Sequence, residues 1–248
     1  MIRQAVILAA GKGTRLRASD DDLPKPLHRV AGVPLIKRTI LTLAKAGVNR
    51  VVVVTGFMAD LVRDTVEGDP SYSEAGLDVT FEHNPEYEQS NGISVLVGGR
   101  GLAGAFVLSM ADHIYTPSIA RLVATQDLTV ADLYLATDPR IHDVLDIDDA
   151  TKVRSEGRRI VEISKTIPTY DRIDCGVFSV TPRLLEVLGE LQQERGDCSL
   201  SDGVRRLAEQ GRAWIADIGD DFWQDVDTPA DHAHAERLIG AHDPLGGA

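Results

Sequence analysis

Along this chain, short unbroken apolar runs alternate with apolar stripes of helical period. Ala5-Val6-Ile7-Leu8-Ala9-Ala10 and Val51-Val52-Val53-Val54 are continuous runs, as expected of strands covered on both faces. Between them, Pro34 to Ala46 places Ile36, Ile40 and Leu43 on one face and closes at Gly47, which predicts a helix packed by one side. Ala59 to Val66 reads as a second helix, Leu77 to Glu82 as a third strand and Ala105 to Met110 as another buried strand. The order β, α, β, α, β predicts a parallel sheet with right-handed crossovers and helices on both faces. Ligands of such sheets lie at the carboxyl ends of the strands.

From Asp132 the pattern turns to strands. They are expected over Ala131–Ala136, Val144–Ile147, Thr151–Ser155, Arg159–Ile163 and Asp174–Val180, with Glu156-Gly157 as a tight hairpin turn. Amphipathic helices follow near Pro182–Glu194 and Leu200–Glu209, the second with Ser199 as its candidate cap. Thr228-Pro229 opens a last helix that runs to about Ile239. Asp20-Asp21-Asp22 reads as a solvated turn, and residues 243–248 as a flexible tail.

The first strand ends in Gly11-Lys12-Gly13-Thr14-Arg15-Leu16, and Pro24-Lys25-Pro26-Leu27 follows. Such a strand opens into an anion-binding loop, whose glycines let backbone N–H groups approach a phosphate. Lys12 and Arg15 add charge where a triphosphate would lie, and Arg15 offers a two-pronged fork. The prolines beside Lys25 stiffen the base of a flexible cation, as a catalytic lysine requires. Leu16 stands where a dinucleotide fingerprint needs its third glycine, and Gly-Lys-Gly replaces the Gly-Lys-Ser/Thr of a Walker loop, so both of those motifs fail.

Further candidates follow the other strands. Asn84 and Asn91 can read a base, and Gly92 would let a flat ring come close; an Asn-capped turn before a helix accounts for the same residues. Asp112, at the end of a buried strand facing the loop, suits magnesium, a hard cation that prefers oxygen. His113 is left without a role. Asp225 and Asp227 alternate along an extended segment and so point to one side, where either would supply a second metal ligand. Lys152, Lys165 and Asp174 are the polar standouts of the strand-rich half, and a solvated surface charge is the ordinary account of each.

The net charge of −12 argues against general nucleic-acid binding. Its distribution adds more: residues 1–50 hold ten Lys/Arg and three Asp/Glu, and the remainder 16 and 35, so positive charge gathers around the glycine loop. No stretch reaches the ~18 apolar residues of a membrane span, and the start lacks the layout of a signal peptide. Cys175 and Cys198 have no paired spacing, which suits a reducing compartment. A cytoplasmic protein, not integral to a membrane, is expected.

Leu-Ala-Ala-Gly-x-Gly-Thr-Arg-Leu followed by Pro-Lys-Pro-Leu resembles the signature of nucleotidyltransferases that join a nucleoside triphosphate to a sugar phosphate or similar phosphate. Asn91-Gly92-x-Ser94, Met110-Ala111-Asp112-His113-Ile114-Tyr115, Ala150-Thr151-Lys152-Val153, Ile173-Asp174-x-Gly176-x-Phe178 and Trp223-x-Asp225-Val226-Asp227-Thr228 resemble more particularly the CTP-dependent inositol-1-phosphate cytidylyltransferases. Two positions depart from that pattern, Ala111 for Gly and Cys175 for Thr, and the second lies in the expected acceptor pocket.

The resemblance implies a single α/β domain over residues 1–242, with a Rossmann-like, mostly parallel sheet flanked by helices. A nucleotide-binding half would cover about 1–128 and a small β-rich acceptor half about 129–242. It implies that Leu8, Ala9, Ala10, Gly11, Lys12, Gly13 and Thr14 hold the nucleotide with Asn84, Asn91 and Gly92. Arg15 and Lys25 would be catalytic, Lys165, Asp174 and Lys152 would bind the acceptor, and Asp112 with Asp225 or Asp227 would hold Mg²⁺. The implied partners are CTP and a small phosphate-bearing acceptor, and a homodimer is an expectation carried by the family alone. The rival readings are a different acceptor, such as a sugar 1-phosphate, phosphocholine or a phosphonate, and a nucleotide-sensing subunit without activity. Arg15, Lys25, Asp112, Lys165 and Asp225 are all present, which favours the enzyme.

Overall fold

Nine strands form the central sheet of the computed structural model, which describes residues 1–16, 23–241 and 243. In chain order they are β1 (Gln4–Ala9), β2 (Arg50–Thr55), β3 (Asp78–His83), β4 (Phe106–Met110), β5 (Leu133–Asp138), β6 (Lys152–Glu156), β7 (Arg159–Ser164), β8 (Arg172–Val180) and β9 (Ala213–Asp217). Across the sheet the order is β3-β2-β1-β4-β8-β5-β9-β7-β6, with β6 also pairing to β8. The antiparallel pairings of β8 and β7 leave the other seven strands pointing one way, so the sheet is mostly parallel in direction.

The apolar run of β1 is continuous because both faces are covered. Val6 and Leu8 enter one core, with Ile93 and Val97 of helix Asn91–Gly99, Leu184 and Leu188 of helix Arg183–Arg195 and Val204 of helix Leu200–Glu209. Ala5, Ile7 and Ala9 enter the other, with Ile36, Ile40 and Leu43 of helix Leu35–Lys45 and Val62 of helix Ala59–Glu67. The alternation is the two-residue period of a strand read from both sides.

Local signals form as their chemistry dictates. Ser199 Oγ accepts from the Asp202 N–H at 3.1 Å while the Asp202 carboxylate accepts from the Ser199 N–H at 2.8 Å, a reciprocal capping box. Thr228 and Asp231 do the same at the head of helix Pro229–Ala241. The β6–β7 hairpin turns at Gly157, with φ +60°, and Arg158, one residue later than the expected Glu156-Gly157, because Glu156 still pairs with Arg159.

One expected strand does not form, and one strand of the sheet carries no signal in the sequence. Val144–Ile147 is not a strand: a short 3-10 turn, Ile141–Asp143, precedes it and Leu145 is exposed. The chain there runs on from the 3-10 turn through further turns to Asp149, and β6, the next strand along, already pairs with both β7 and β8. Within the central sheet, the strand missed by the pattern is β9, whose Ala-Trp-Ile-Ala is too short and mixed to signal itself, although it lies between β5 and β7. The acidic triplet 20–22 and tail residues 244–248 fall outside the described residues.

Candidate active site

The parallel strands deliver their carboxyl ends to one edge, where two adjoining cavities share Asn91, Met110 and Asp112. The first, of about 260 Å³, is lined by Leu8, Ala9, Ala10, Gly11 and Gly13 at the end of β1, by Lys25 and by Tyr87, Gln89 and Ser94. The second, of about 230 Å³, is lined by Arg15, His113, Asp149, Lys165, Asp174, Gly176, Trp223, Asp225 and Asp227.

Gly13 stands at φ +61°, and a Cβ there would collide with the Lys25 side-chain stem. The loop therefore needs a glycine both for its backbone and for the lysine packed against it. Lys25 opens the 3-10 turn Lys25–Leu27 behind Pro24 and is 7% exposed. Its ammonium meets Asp112 Oδ2 at 2.6 Å and Asp227 Oδ1. Burial opposes the charge on Lys25, but the two carboxylates outweigh it and hold the lysine protonated above its ordinary pKa.

Asp227 also takes Arg15 Nη2 at 2.8 Å, and Arg15 Nη1 reaches Asp149 Oδ2 at 2.6 Å. The other oxygen of Asp149 accepts from Lys165 Nζ at 2.8 Å. Lys25, Asp227, Arg15, Asp149 and Lys165 thus form one chain of alternating charge from the first cavity into the second. Asp149 was not singled out from the sequence, since one carboxylate in Asp-Ile-Asp-Asp carries no local signal.

Asp112 is brought to Asp225 and Asp227 by a two-stranded ribbon. Trp223–Asp225 pairs antiparallel with His113–Tyr115, and the Val226 N–H donates to the Asp112 carbonyl at 3.0 Å. Burial opposes ionisation of Asp112, but Lys25 and His113 prevail and hold its carboxyl far below the ordinary range. Burial also opposes charge on His113, yet Asp112, 2.8 Å from Nδ1, together with Asp225 and Asp174, pushes its pKa up to about 9. The imidazolium stacks on Trp223, with ring centres 6.0 Å apart, and packs over Gly176, where a Cβ would come within 2.6 Å of it. His113 therefore has a role the sequence did not suggest, as the cation amid three carboxylates. Asp174 accepts from the Gly176 N–H at 2.7 Å, and burial pushes its pKa up to about 6.

Asp225 is pushed above its ordinary pKa by burial and, against the opposing pull of His113, by the charges of Asp227, Asp231 and Asp112. Among the described residues no three His, Cys, Asp or Glu side chains form a ready metal cage. The donor set fits a divalent cation that takes its remaining ligands from a substrate: the oxygens are hard, and their excess negative charge would be relieved.

Other expected site residues stand elsewhere. Asn84 is 1% exposed, donates to Ser94 Oγ at 2.9 Å and accepts from the Glu86 N–H at 2.9 Å, and lines neither cavity. A Cβ at Gly92 would come within 2.4 Å of the Cys198 carbonyl oxygen and 3.0 Å of its Sγ, so the packing of Cys198 alone requires the glycine, which lines neither cavity. Asn91 lines both cavities and accepts from the Leu200 N–H at 2.8 Å. Lys12 pairs with Glu88 near Tyr87, and neither Lys12 nor Thr14 lines the cavities. Lys152 is buried beneath the second cavity's loop and does not line it. Tyr87 and Gln89, in the segment bounded by the two asparagines, also line the first cavity, though neither carries a signal in the sequence.

Comparison with known proteins places this edge in context. The model of the MobA-like NTP transferase domain matches residues 5–210. A bifunctional IPC transferase and DIPP synthase of Rubrobacter xylanophilus is 38% identical over 95% of this chain and 51% of its own length. A CMP-5'-(3-aminopropyl)phosphonate synthase of Streptomyces rubellomurinus is 30% identical over 94% of this chain and 38% of its own length. The chain spans about half or less of the curated relatives it matches first. Among solved structures, the inositol-1-phosphate CTP transferase from T. maritima superposes with a TM-score of 0.82 at 28% identity, covering 96% of both chains.

Proposed function

The chain belongs to the family of MobA-like NTP transferase domains, and from that premise we propose that it transfers the cytidylyl group of CTP to inositol 1-phosphate, giving CDP-inositol and pyrophosphate. The observation that carries the reading is the single carboxylate Asp149 held by both Arg15 and Lys165. Two cations that meet on one carboxylate stand close enough to serve two phosphates that must react with each other.

Backbone from Leu8 to Thr14 cradles the triphosphate, and Asn91 with Gln89 faces the base. Arg15 and Lys25 draw charge from the α-phosphate. An acceptor phosphate, with a second pKa of ~6, is already ionised near neutral pH and needs no strong base. Its oxygen forms the new bond to the α-phosphorus as the bond to the pyrophosphate oxygen breaks, in line and without a covalent enzyme intermediate. Positioned cations lower the repulsion between the two anions. Asp112 with Asp225 or Asp227 would hold Mg²⁺, which supplies further neutralisation of phosphate oxygens when bound. Lys165 receives the acceptor phosphate and Asp174 a ring hydroxyl.

Among the described residues no helix is long and apolar enough to cross a membrane. Both cysteines are buried free thiols, which supports a reducing, cytoplasmic setting. The phosphonate relative keeps a second acceptor class in view. The test is pyrophosphate release with Mg²⁺, each of the four nucleoside triphosphates being paired with inositol 1-phosphate, glucose 1-phosphate, phosphocholine and an aminoalkylphosphonate. Release confined to CTP with inositol 1-phosphate is expected. Release with another pair overturns the substrates, and a folded protein that binds CTP but is silent throughout overturns the activity.

A further inference from the structure

The second cavity owes part of its shape to a residue that does not line it. Lys152 opens β6 and is 8% exposed. Its ammonium donates to the carbonyls of Lys165 at 2.8 Å, Asp148 at 3.3 Å and Ala150 at 3.4 Å, and lies 5.7 Å from the centre of the Tyr170 ring. Asp148 and Ala150 flank Asp149, and the third carbonyl belongs to Lys165 itself. One buried cation therefore grips the main chain on both sides of Asp149 and at Lys165, whose side chains meet at 2.8 Å in the cavity.

An ammonium suits this position because it carries three donors about one point and no acceptor. A planar guanidinium has its donors fixed in a fork and cannot meet three converging carbonyls in the same way. An uncharged chain of equal length would leave buried carbonyls short of donors, which favours a displaced loop over the present one.

We propose that Lys152 is a positioning residue for the acceptor phosphate. By fixing the main chain at Asp148, Ala150 and Lys165 it sets where the Lys165 ammonium stands, while the backbone that cradles the triphosphate lies on the loop after β1, which meets this clamp through the Arg15–Asp149 pair. The inference rests on the nucleotidyl transfer proposed above and assigns Lys152 an action through Lys165 rather than contact with substrate.

Steady-state kinetics of Lys152→Met and Lys152→Arg test it, beside hydrogen exchange of both variants. Because small misplacements of a binding group are expensive, Lys152→Met should raise KM for inositol 1-phosphate on the order of 10- to 100-fold while KM for CTP moves less than about threefold. Lys152→Arg, which keeps the charge, should recover part of the loss. Exchange should quicken at residues 146–151 and 164–167 and stay unchanged in β1. An unchanged acceptor KM overturns the proposal, as does an equal rise for both substrates, the signature of a residue that only supports the fold.

If the wild-type protein proves silent with every substrate pair, the proposed function falls and exchange alone decides the clamp. Quickening confined to the two segments supports it; none, or quickening throughout, overturns it. Should Lys152→Met fail to fold, Lys152→Arg is read by the same split between the two KM values, or by the same exchange pattern if the protein is silent.

Discussion

Lys25 and Asp227, 202 positions apart in the chain, are ion-paired at the junction of the two cavities. The pair is not isolated, since Lys25 also neutralises Asp112 and Asp227 also holds Arg15. A cation on a proline-stiffened loop would by itself matter to catalysis and little to folding; this one does both.

Lys25→Ala is therefore expected to lower turnover on the order of a hundredfold or more, as loss of a preorganised donor does. It should also cost about 3 kcal/mol of stability, because Asp112 and Asp227 lose their shared counter-charge. Added Mg²⁺ should raise the melting temperature of the variant more than that of the wild type. Thermal melts with and without the ion check this, and an equal response in both proteins would remove the carboxylates from the metal site.

For the metal itself, Asp112→Asn should shift the magnesium titration of turnover to higher concentration by a factor on the order of ten or more, the loss seen when groups supporting a metal are altered. A titration that superposes on the wild type would make Asp112 a partner of Lys25 and His113 alone.

Gly13→Ala places a methyl against the Lys25 stem at φ +61°, where a side chain is strained. Turnover should fall as far as in Lys25→Ala. Gly11→Ala, with nothing within 4 Å of its Cβ, should leave the melting temperature nearly unchanged. Parallel melts and rates of the two variants separate the close approach from the general need for glycine.

Asn84→Ala should lower stability by about 1–3 kcal/mol through the buried Ser94 hydroxyl left unpaired and the lost acceptor of the Glu86 N–H, with KM for the nucleotide unchanged. A large rise in that KM would return Asn84 to the base pocket.

Asp138 supplies a pH dependence of stability. Burial opposes its charge, but Arg140 and the Trp223 indole N–H hold its carboxyl below the ordinary value. A depressed native pKa stabilises above the unfolded value and is lost as pH falls through the native one. The gap in unfolding free energy between wild type and Asp138→Asn should be about 1–3 kcal/mol at pH 7. It should narrow below pH ~4, where the unfolded carboxyl protonates. Denaturant titrations at the two pH values measure it, and a constant gap would deny the carboxylate its role.

The glycine loop, the helices on both faces and the parallel half of the sheet were legible in the sequence because each is specified locally. Runs and stripes have periods of two and about four residues, the turn at Gly157 needs one special backbone angle, and a capping box spans four positions. So were Asp112 as a carboxylate beyond a buried strand and Asp225 with Asp227 as an alternating pair, though not which cations stand among them.

Tertiary structure alone decided the rest. β9 enters the sheet between β5 and β7, and Val144–Ile147, despite its apolar residues, stays in turns. Asn84 and Gly92 turn to Ser94 and Cys198, and Asp149 gains meaning only once Arg15 and Lys165 arrive beside it from 134 and 16 positions away. Electrostatic partnership depends on distance through space, and no local pattern along the chain encodes it.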